Sequence, residues 1–491
     1  MENQYMAYEL IERIQNKEVK IEETIQLFFE KIKKTENAIH SFTHLHEKEA
    51  LEKAKNLDDD LKKGKSIGKL HGLPIGIKGC ICIKDSPTTC CSNILEGYYP
   101  PYNATVIDRL IEKQNAICIG RTNMDEFAMG SSTETSCYGP TRNPWDLKRV
   151  AGGSSGGSGS CIAAGQSVFA LGSDTGGSVR SPAAYCGIVG LKPTYGRVSR
   201  YGLISYANSL EQIGPMAKCV KDCALLLQIM AGHDNLDSTT VKIDVDDYWS
   251  HLNDSIEKKI LAIPREFFGE GVDKAVKDKV NKSIAILESL GAKTEEVSFP
   301  HLEYTIPTYY LIAMSEASSN LARFDGLRHG KMSDNLEGDV FDVFSRTRGE
   351  KFGIEVRRRI MLGSYALSAG YYDMFYIKAL KVRTLIINDF RKVFEKCDAI
   401  ACPTMPTTAF KLGELVDDPL QMYLMDVLTC PVNLAGLPAL SLPCGFDNKD
   451  LPIGFQLIGN YFDEKTIFNI GHLLERELNI YRKYPSLKGG K

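Results

Sequence analysis

No apolar run in this 491-residue sequence approaches the roughly 18 residues that span a bilayer. The opening stretch, MENQYMAYELIERIQNKEVK, lacks the apolar core of a secretory leader. Glu2, Glu9 and Glu12 set it apart from acid-poor transit peptides. A cytoplasmic protein is the expectation, with no membrane partner. Charge of one sign is missing as well: 59 Lys and Arg against 62 Asp and Glu leave a net charge of −3. That argues against tight nucleic-acid binding by this chain alone. There is no G-x-x-x-x-G-K-[ST] phosphate loop, so ATP chemistry is expected elsewhere. No fixed-period repeat appears, which excludes a solenoid. Histidine is sparse too, with none between His71 and His233. A nucleophile in that interval would need some other base.

Cysteine is not scarce, yet its fourteen residues form no regular pattern. Disulfide scaffolds are short secreted chains, and the cluster Cys80, Cys82, Cys90 and Cys91 does not match paired C-x2-C zinc knuckles. Cys219 and Cys223 sit four apart on an expected helix. Free, mostly buried thiols and no metal are therefore expected.

The first sixty residues read as helices, with Leu27, Phe28 and Ile32 on one apolar stripe. LPIGIKG reads as a short buried strand punctuated by Pro74 and Gly79. Strand and helix patterns then alternate: AICIG, KILAIP, AKTEEVSF, KCDAIACPT and PALSLPCG are strands. DKAVKDKVNKSIAILESLG is a helix burying Val276, Val280, Ile284 and Leu287, with Gly291 at its end. This alternation predicts an α/β fold, a sheet with helices on both faces.

One stretch resists that reading. AGGSSGGSGS, residues 151–160, has the composition of a flexible linker and would suit a two-domain binding protein. A linker, however, makes no demand on its flanks. Here the run passes through CIAAGQSVFALGSD into TGGSVR, small residues throughout, as close backbone packing requires. Consecutive N–H groups at Thr175, Gly176, Gly177 and Ser178 can converge into an anion-binding nest beside a hydroxyl. Nucleophile plus oxyanion hole is what acyl transfer needs. With no histidine near, Lys78 is the candidate base, provided it is buried and not merely the surface end of a strand.

The run from GGSSGGSGS through TGGSVRSPAAYCG to GLKPTYG resembles the defining signature of the amidase signature family. That resemblance implies a single large amidase-signature domain over 1–491, with a mixed central β-sheet covered by helices on both faces. Within it, 1–65 would be a helical N-terminal region, 66–215 the catalytic core and 216–491 the remainder, including the substrate-binding segments. It also implies a Ser–cis-Ser–Lys triad: Ser178 as nucleophile, Ser154 as the bridging serine with a cis peptide, and Lys78 as base. One departure stands out, since the family usually has Asp after the lysine and this chain has Gly79.

Further segments, among them SRYGLISYANSLEQIGPMA, SEASSNLARFDGLRHG and CPVNLAGLPALSLPCG, are similar to one branch of that family. Its members are the glutaminases of tRNA-dependent amidotransferases. The resemblance covers essentially the whole chain. It implies that Arg359 in RRRIMLG takes the carboxylate of free glutamine and Asp426 in LMDVLTCPVNLAG its ammonium, with Ser131 near the substrate. Read without the resemblance, Arg357–Arg359 is an ordinary basic helix end and Asp426 a turn cap. The implied partners are a tRNA-binding B subunit and a small C subunit in a heterotrimer. ATP and Mg²⁺ would be used by the complex, with no cofactor on this chain and tRNA reached through the partners. A free-standing amidase for small amides would share the triad without needing Arg359 and Asp426.

Overall fold

The computed structural model describes residues 5–65 and 68–487. Glu2 and the expected boundary residue Ser66 lie outside the described residues. Thirteen strands are found among them: β1 (Phe42–Leu45), β2 (Pro74–Lys78), β3 (Ile117–Thr122), β4 (Arg142–Asn143), β5 (Asp146–Val150), β6 (Phe169–Asp174) and β7 (Val189–Lys192). They continue with β8 (Gln212–Ala217), β9 (Ile260–Pro264), β10 (Lys293–Val297), β11 (Ala399–Pro403), β12 (Ala439–Phe446) and β13 (Pro452–Gly459). Apart from the β4–β5 pair they form one sheet in the order β1-β3-β2-β6-β8-β7-β12-β13-β11-β9-β10. β3, β2 and β6 run parallel, as do β11, β9 and β10, whereas the strands between are antiparallel. The α/β fold with a mixed central sheet is therefore as the sequence implied.

The central strands are buried on both faces, which is why they read as short continuous apolar runs rather than alternating ones. Every residue of β2 and of β6 is buried. These two strands are parallel neighbours, Ile77 lying opposite Leu171, so the C-terminal ends that carry Lys78 and Ser173 come out side by side. That adjacency places the chemistry.

The N-terminal helices fold onto this body. The helix Ile21–Ile39 buries Ile21, Ile25, Phe29 and Ile32. The expected stripe needs correction: Ile32 faces the core, but Leu27 is 60% exposed and Phe28 is half-buried. The 3.6-residue repeat passes through Ile25 and Phe29, to either side of that pair. Capping comes from distant carboxylates. Asp58 accepts the N–H groups of Ile21 and Glu22 at 2.9 and 3.0 Å. Asp222 accepts those of Ala7 and Tyr8 at 2.7 and 2.9 Å, tying the first helix to a residue 215 positions away. The first sixty residues are also not all helical, since FTHL forms β1 at the sheet edge.

The Gly/Ser stretch is no linker. Gly156–Ala163 is a helix with every residue buried. Its glycines are needed for space: a Cβ on Gly157 would sit 2.4 Å from Ser41 O and from Asn123 N. Glycine inside a helix costs about 1 kcal/mol relative to alanine, and here it permits backbone-to-backbone packing that no other residue allows.

Candidate active site

Lys78 ends β2 with no exposed surface, which removes the surface-lysine reading. Its Nζ lies within hydrogen-bond distance of three hydroxyls: Ser154 Oγ at 2.7 Å, Ser155 Oγ at 2.7 Å and Ser173 Oγ at 2.9 Å. Burial pushes its pKa below the usual lysine range. Cys80, Asp125 and Asp174 act in the opposite direction. Gly79 removes a carboxylate next in sequence, but Asp125 and Asp174 reach the site through space. Ser155 and Ser173 were not foreseen, because nothing in GGSSGG or LGSD says which hydroxyl turns to the lysine.

Ser154 is buried, and the Gly153–Ser154 peptide is cis. Ser178 lies alongside, its carbonyl accepting the Ser155 N–H at 3.2 Å, and it keeps 7% of its surface where Ser154 has none. The hydrogen bonds among the described residues include Lys78–Ser154 but no Ser154–Ser178 side-chain bond.

The loop carrying Ser178 is shaped by Asp174. Its carboxylate accepts the N–H groups of Gly177 (2.9 Å) and Val179 (3.1 Å), and pairs with Arg180 through Nε and Nη2 at 3.0 Å each. Burial works to raise the Asp174 pKa, yet Arg180 overrides it and holds the carboxyl down to about 2. One consequence corrects the expected oxyanion hole. The Gly177 N–H is already bonded to Asp174, leaving those of Thr175, Gly176 and Ser178 without an acceptor among the described residues. Gly176 and Gly177 both leave no room for a Cβ, and Gly177 also needs a positive φ. Its φ is +140°, and a Cβ would fall 2.4 Å from Thr429 Oγ1.

Arg359 lies in the first half of the helix Ile354–Ala366, not at a helix end, and is 3% exposed. Nε donates to Glu355 Oε1 at 2.7 Å and Nη1 to the Tyr206 hydroxyl at 2.7 Å. The rings of Tyr206, Tyr310 and Tyr423 surround the guanidinium at 5.2 to 5.6 Å. Nη2 has no partner among the described residues. Asp426 accepts from Ser131 Oγ at 2.6 Å and from the Tyr310 hydroxyl at 3.4 Å. Burial pushes its carboxyl up to about 7, against the pull of Ser131 and Arg359. The structure thus brings Arg359, Asp426 and Ser131 together, with Tyr310 touching both charged groups. Sequence reasoning missed Glu355 and the three tyrosines, whose contacts span up to 153 positions.

The two clusters are joined by one turn. Thr429, whose N–H bonds to Asp426 O, places its hydroxyl 2.5 Å from Gly176 O. A cleft of about 340 Å³ opens at Ser131, Glu355 and Arg359. Among the described residues no group of three or more His, Cys, Asp or Glu is arranged to hold a metal ion. All fourteen cysteines are free thiols, and Cys137 is the exposed one. No helix of the described residues is long and apolar enough to cross a membrane.

The amidase family profile matches residues 23–468. The A subunit of glutamyl-tRNA(Gln) amidotransferase from Carboxydothermus hydrogenoformans is 53% identical over 488 residues, covering 99% of this chain and 100% of that one. The protein of the same name from Geobacillus thermodenitrificans is 54% identical over 479 residues, 98% of each chain. The crystal structure of the glutamyl-tRNA(Gln) amidotransferase A subunit from Thermotoga maritima superimposes with a TM-score of 0.78. It is 43% identical and covers 93% of this chain and 91% of that one. The chain belongs to the amidase family.

Proposed function

We propose that this chain is the glutaminase subunit of a tRNA-dependent amidotransferase, working by Ser–cis-Ser–Lys catalysis in a single domain spanning residues 1–491. The observation that carries this reading is the turn from Asp426 to Thr429. It ties a site with one free guanidinium nitrogen and one carboxylate, the complement of an amino acid's charged end, to the Ser178 loop. The full-length relatives named above support the same substrate and partners.

In the reaction Lys78 acts as the neutral amine, the form its burial favours. It takes the Ser154 Oγ proton while Ser154 takes that of Ser178. The Ser154–Ser178 link is made as Ser178 turns its hydroxyl inward on substrate binding, a tightening common in reacting complexes. Ser178 Oγ attacks the side-chain amide carbon of glutamine. The resulting oxyanion accepts the N–H groups of Thr175, Gly176 and Ser178, preorganised donors of the kind that lower such barriers most. The C–N bond then breaks as the proton returns through Ser154 to the leaving nitrogen, releasing ammonia and a glutamyl ester on Ser178. Water adds to the ester through the same relay, and glutamate departs. Arg359 Nη2 holds the substrate carboxylate and ionised Asp426 its ammonium.

Ammonia passes to the tRNA-binding B subunit. Together with the small C subunit, ATP and Mg²⁺, that partner converts Glu-tRNA(Gln) to Gln-tRNA(Gln) in the cytoplasm. The test is glutamate release by this chain alone and in the reconstituted complex with ATP and Glu-tRNA(Gln). Weak activity alone and a rise on reconstitution are expected. Full activity that ignores partners and tRNA would favour a free-standing amidase.

A further inference from the structure

Arg121, on β3, is fully buried beside the site, and among the described residues it has no carboxylate partner. Its Nη2 donates to Lys78 O at 3.3 Å, to Ile81 O and to Thr88 Oγ1 at 3.3 Å. Nε and Nη1 are buried with no acceptor among the described residues. A guanidinium does not deprotonate in proteins, so a full positive charge sits uncompensated at the root of Lys78.

The groups that face it supply no anion. Cys80, Cys82, Cys90 and Cys118 lie around the guanidinium, and burial pushes each of their thiols up, away from thiolate. His44 and His46 feel the same guanidinium, and burial pushes both down against the pull of the exposed Glu49. Lys78 itself faces Cys80, Cys91, Asp125 and Asp174. Burial keeps Cys91 protonated too. Asp174 is already paired with Arg180 and has Lys192 close by. Asp125 is held by Thr133 N–H and by the N–H and hydroxyl of Thr135, not by a cation, and burial pushes its carboxyl up. Glu211, the remaining carboxyl felt by Cys80, is paired with Arg200. The interior around Lys78 therefore sets Arg121 and Arg180 against Asp174 and an Asp125 that burial pushes toward its neutral form. A third cation, an ammonium on Lys78, would have no counter-charge.

We propose that Arg121 is a positioning residue acting through Lys78: its unpaired guanidinium anchors the Lys78 carbonyl and, by like charge, holds Nζ in the amine form that accepts the Ser154 proton. Gly79 completes the arrangement, because a carboxylate there would supply the missing anion. The inference rests on Lys78 being the catalytic base.

The test is the acid limb of kcat/KM against pH for the full chain on propionamide, a small uncharged amide that does not depend on Arg359. Arg121→Gln keeps amide donors for the three acceptors but removes the charge. Its limb should move to higher pH by about 1 unit or more, while Arg121→Lys, which keeps the charge, stays near wild type. An unmoved limb in folded Arg121→Gln, or an equal shift in Arg121→Lys, overturns the proposal. Gly79→Asp tests the same balance from the opposite side and decides the matter should Arg121→Gln not fold. A Cβ at Gly79 makes only ordinary contacts, the nearest at 3.4 Å to Thr122 O. Its limb should also rise, and a static or falling limb counts against the proposal. Lys78→Ala separates the two ideas. If its residual activity kept the wild-type limb, the base assignment itself would fail, whereas a static limb in the Arg121 variant alone overturns only this inference.

Discussion

Replacing Arg359 by methionine isolates the substrate clamp. The side chain is 3% exposed, with Nε on Glu355 and Nη1 on Tyr206, so the substrate's carboxylate is offered Nη2 and the outer face of the fork. Methionine is of similar length and apolar, and keeps contact with the Tyr206, Tyr310 and Tyr423 rings. Glu355 is not stranded by the change, because Oε1 still receives the Tyr423 hydroxyl at 2.8 Å and Oε2 still receives Arg358. The loss is then mainly one buried charge-assisted pair, about 2–5 kcal/mol. At 1.4 kcal/mol per decade that is about a 30- to 4000-fold fall in kcat/KM for glutamine, carried chiefly by KM. Propionamide has no carboxylate and should lose far less. Arg359→Lys should fall between, since a point charge replaces a planar fork. Ammonia release from both amides by each variant measures the ratio. Equal losses on the two substrates would refute the clamp and make Arg359 a residue of the fold.

Ser178→Ala and Lys78→Ala should each abolish nearly all glutaminase activity, and the double variant should lose little more, since members of one relay are not additive. Near-normal turnover at neutral pH in Lys78→Ala would break the relay. With the Asp426 carboxyl raised to about 7, it is neutral at lower pH and cannot hold an ammonium. The KM for glutamine should therefore fall as pH rises through about 7, a limb absent for propionamide and lost in Asp426→Asn. A thiol reagent on the native chain should modify the exposed Cys137 first and slowly, its thiol being pushed up to about 12, whereas fourteen thiols should titrate once the chain is denatured without reductant. Rapid modification of several buried thiols, or bound zinc, would contradict the free, packed cysteines.

Strands such as β2, β11 and β12 were legible because they leave short apolar runs bounded by Pro or Gly, whereas β6, β7, β8 and β13 were not read as strands. Nor was β1, as FTHL is four residues at an edge with no alternation to see. The helix Gly156–Ala163 was hidden for a different reason. Its composition speaks for coil, and only Ser41 and Asn123, distant in sequence, explain why glycine is needed there. Family resemblance put numbers on Lys78, Ser154, Ser178, Arg359 and Asp426, while the residues that hold them went unread. Ser155, Ser173, Glu355 and Tyr206 act through contacts that exist only after folding, and a serine or tyrosine carries no mark of what it will touch. The occupied Gly177 N–H is of the same kind, since a Gly-Gly pair announces an available nest but not which member is already taken.

With Asp426 and Arg359 holding the substrate as proposed, the turn from Asp426 into Thr429 would make recognition and chemistry neighbours on one backbone, whereas Arg359 would reach the substrate from a separate helix. The two halves of the amino-acid grip are therefore unequal in how freely they can drift. A change at Asp426 that moves the turn also moves Thr429, and with it the Gly176 carbonyl and the donors beside Ser178. New tastes in substrate would cost turnover there. The helix Ile354–Ala366 meets that turn through side chains alone, Glu355 on Tyr423 and Arg359 beside Tyr310, so descendants of this fold that take other amides should have diverged first around Glu355 and Arg359, with the Asp426 turn the slower to follow.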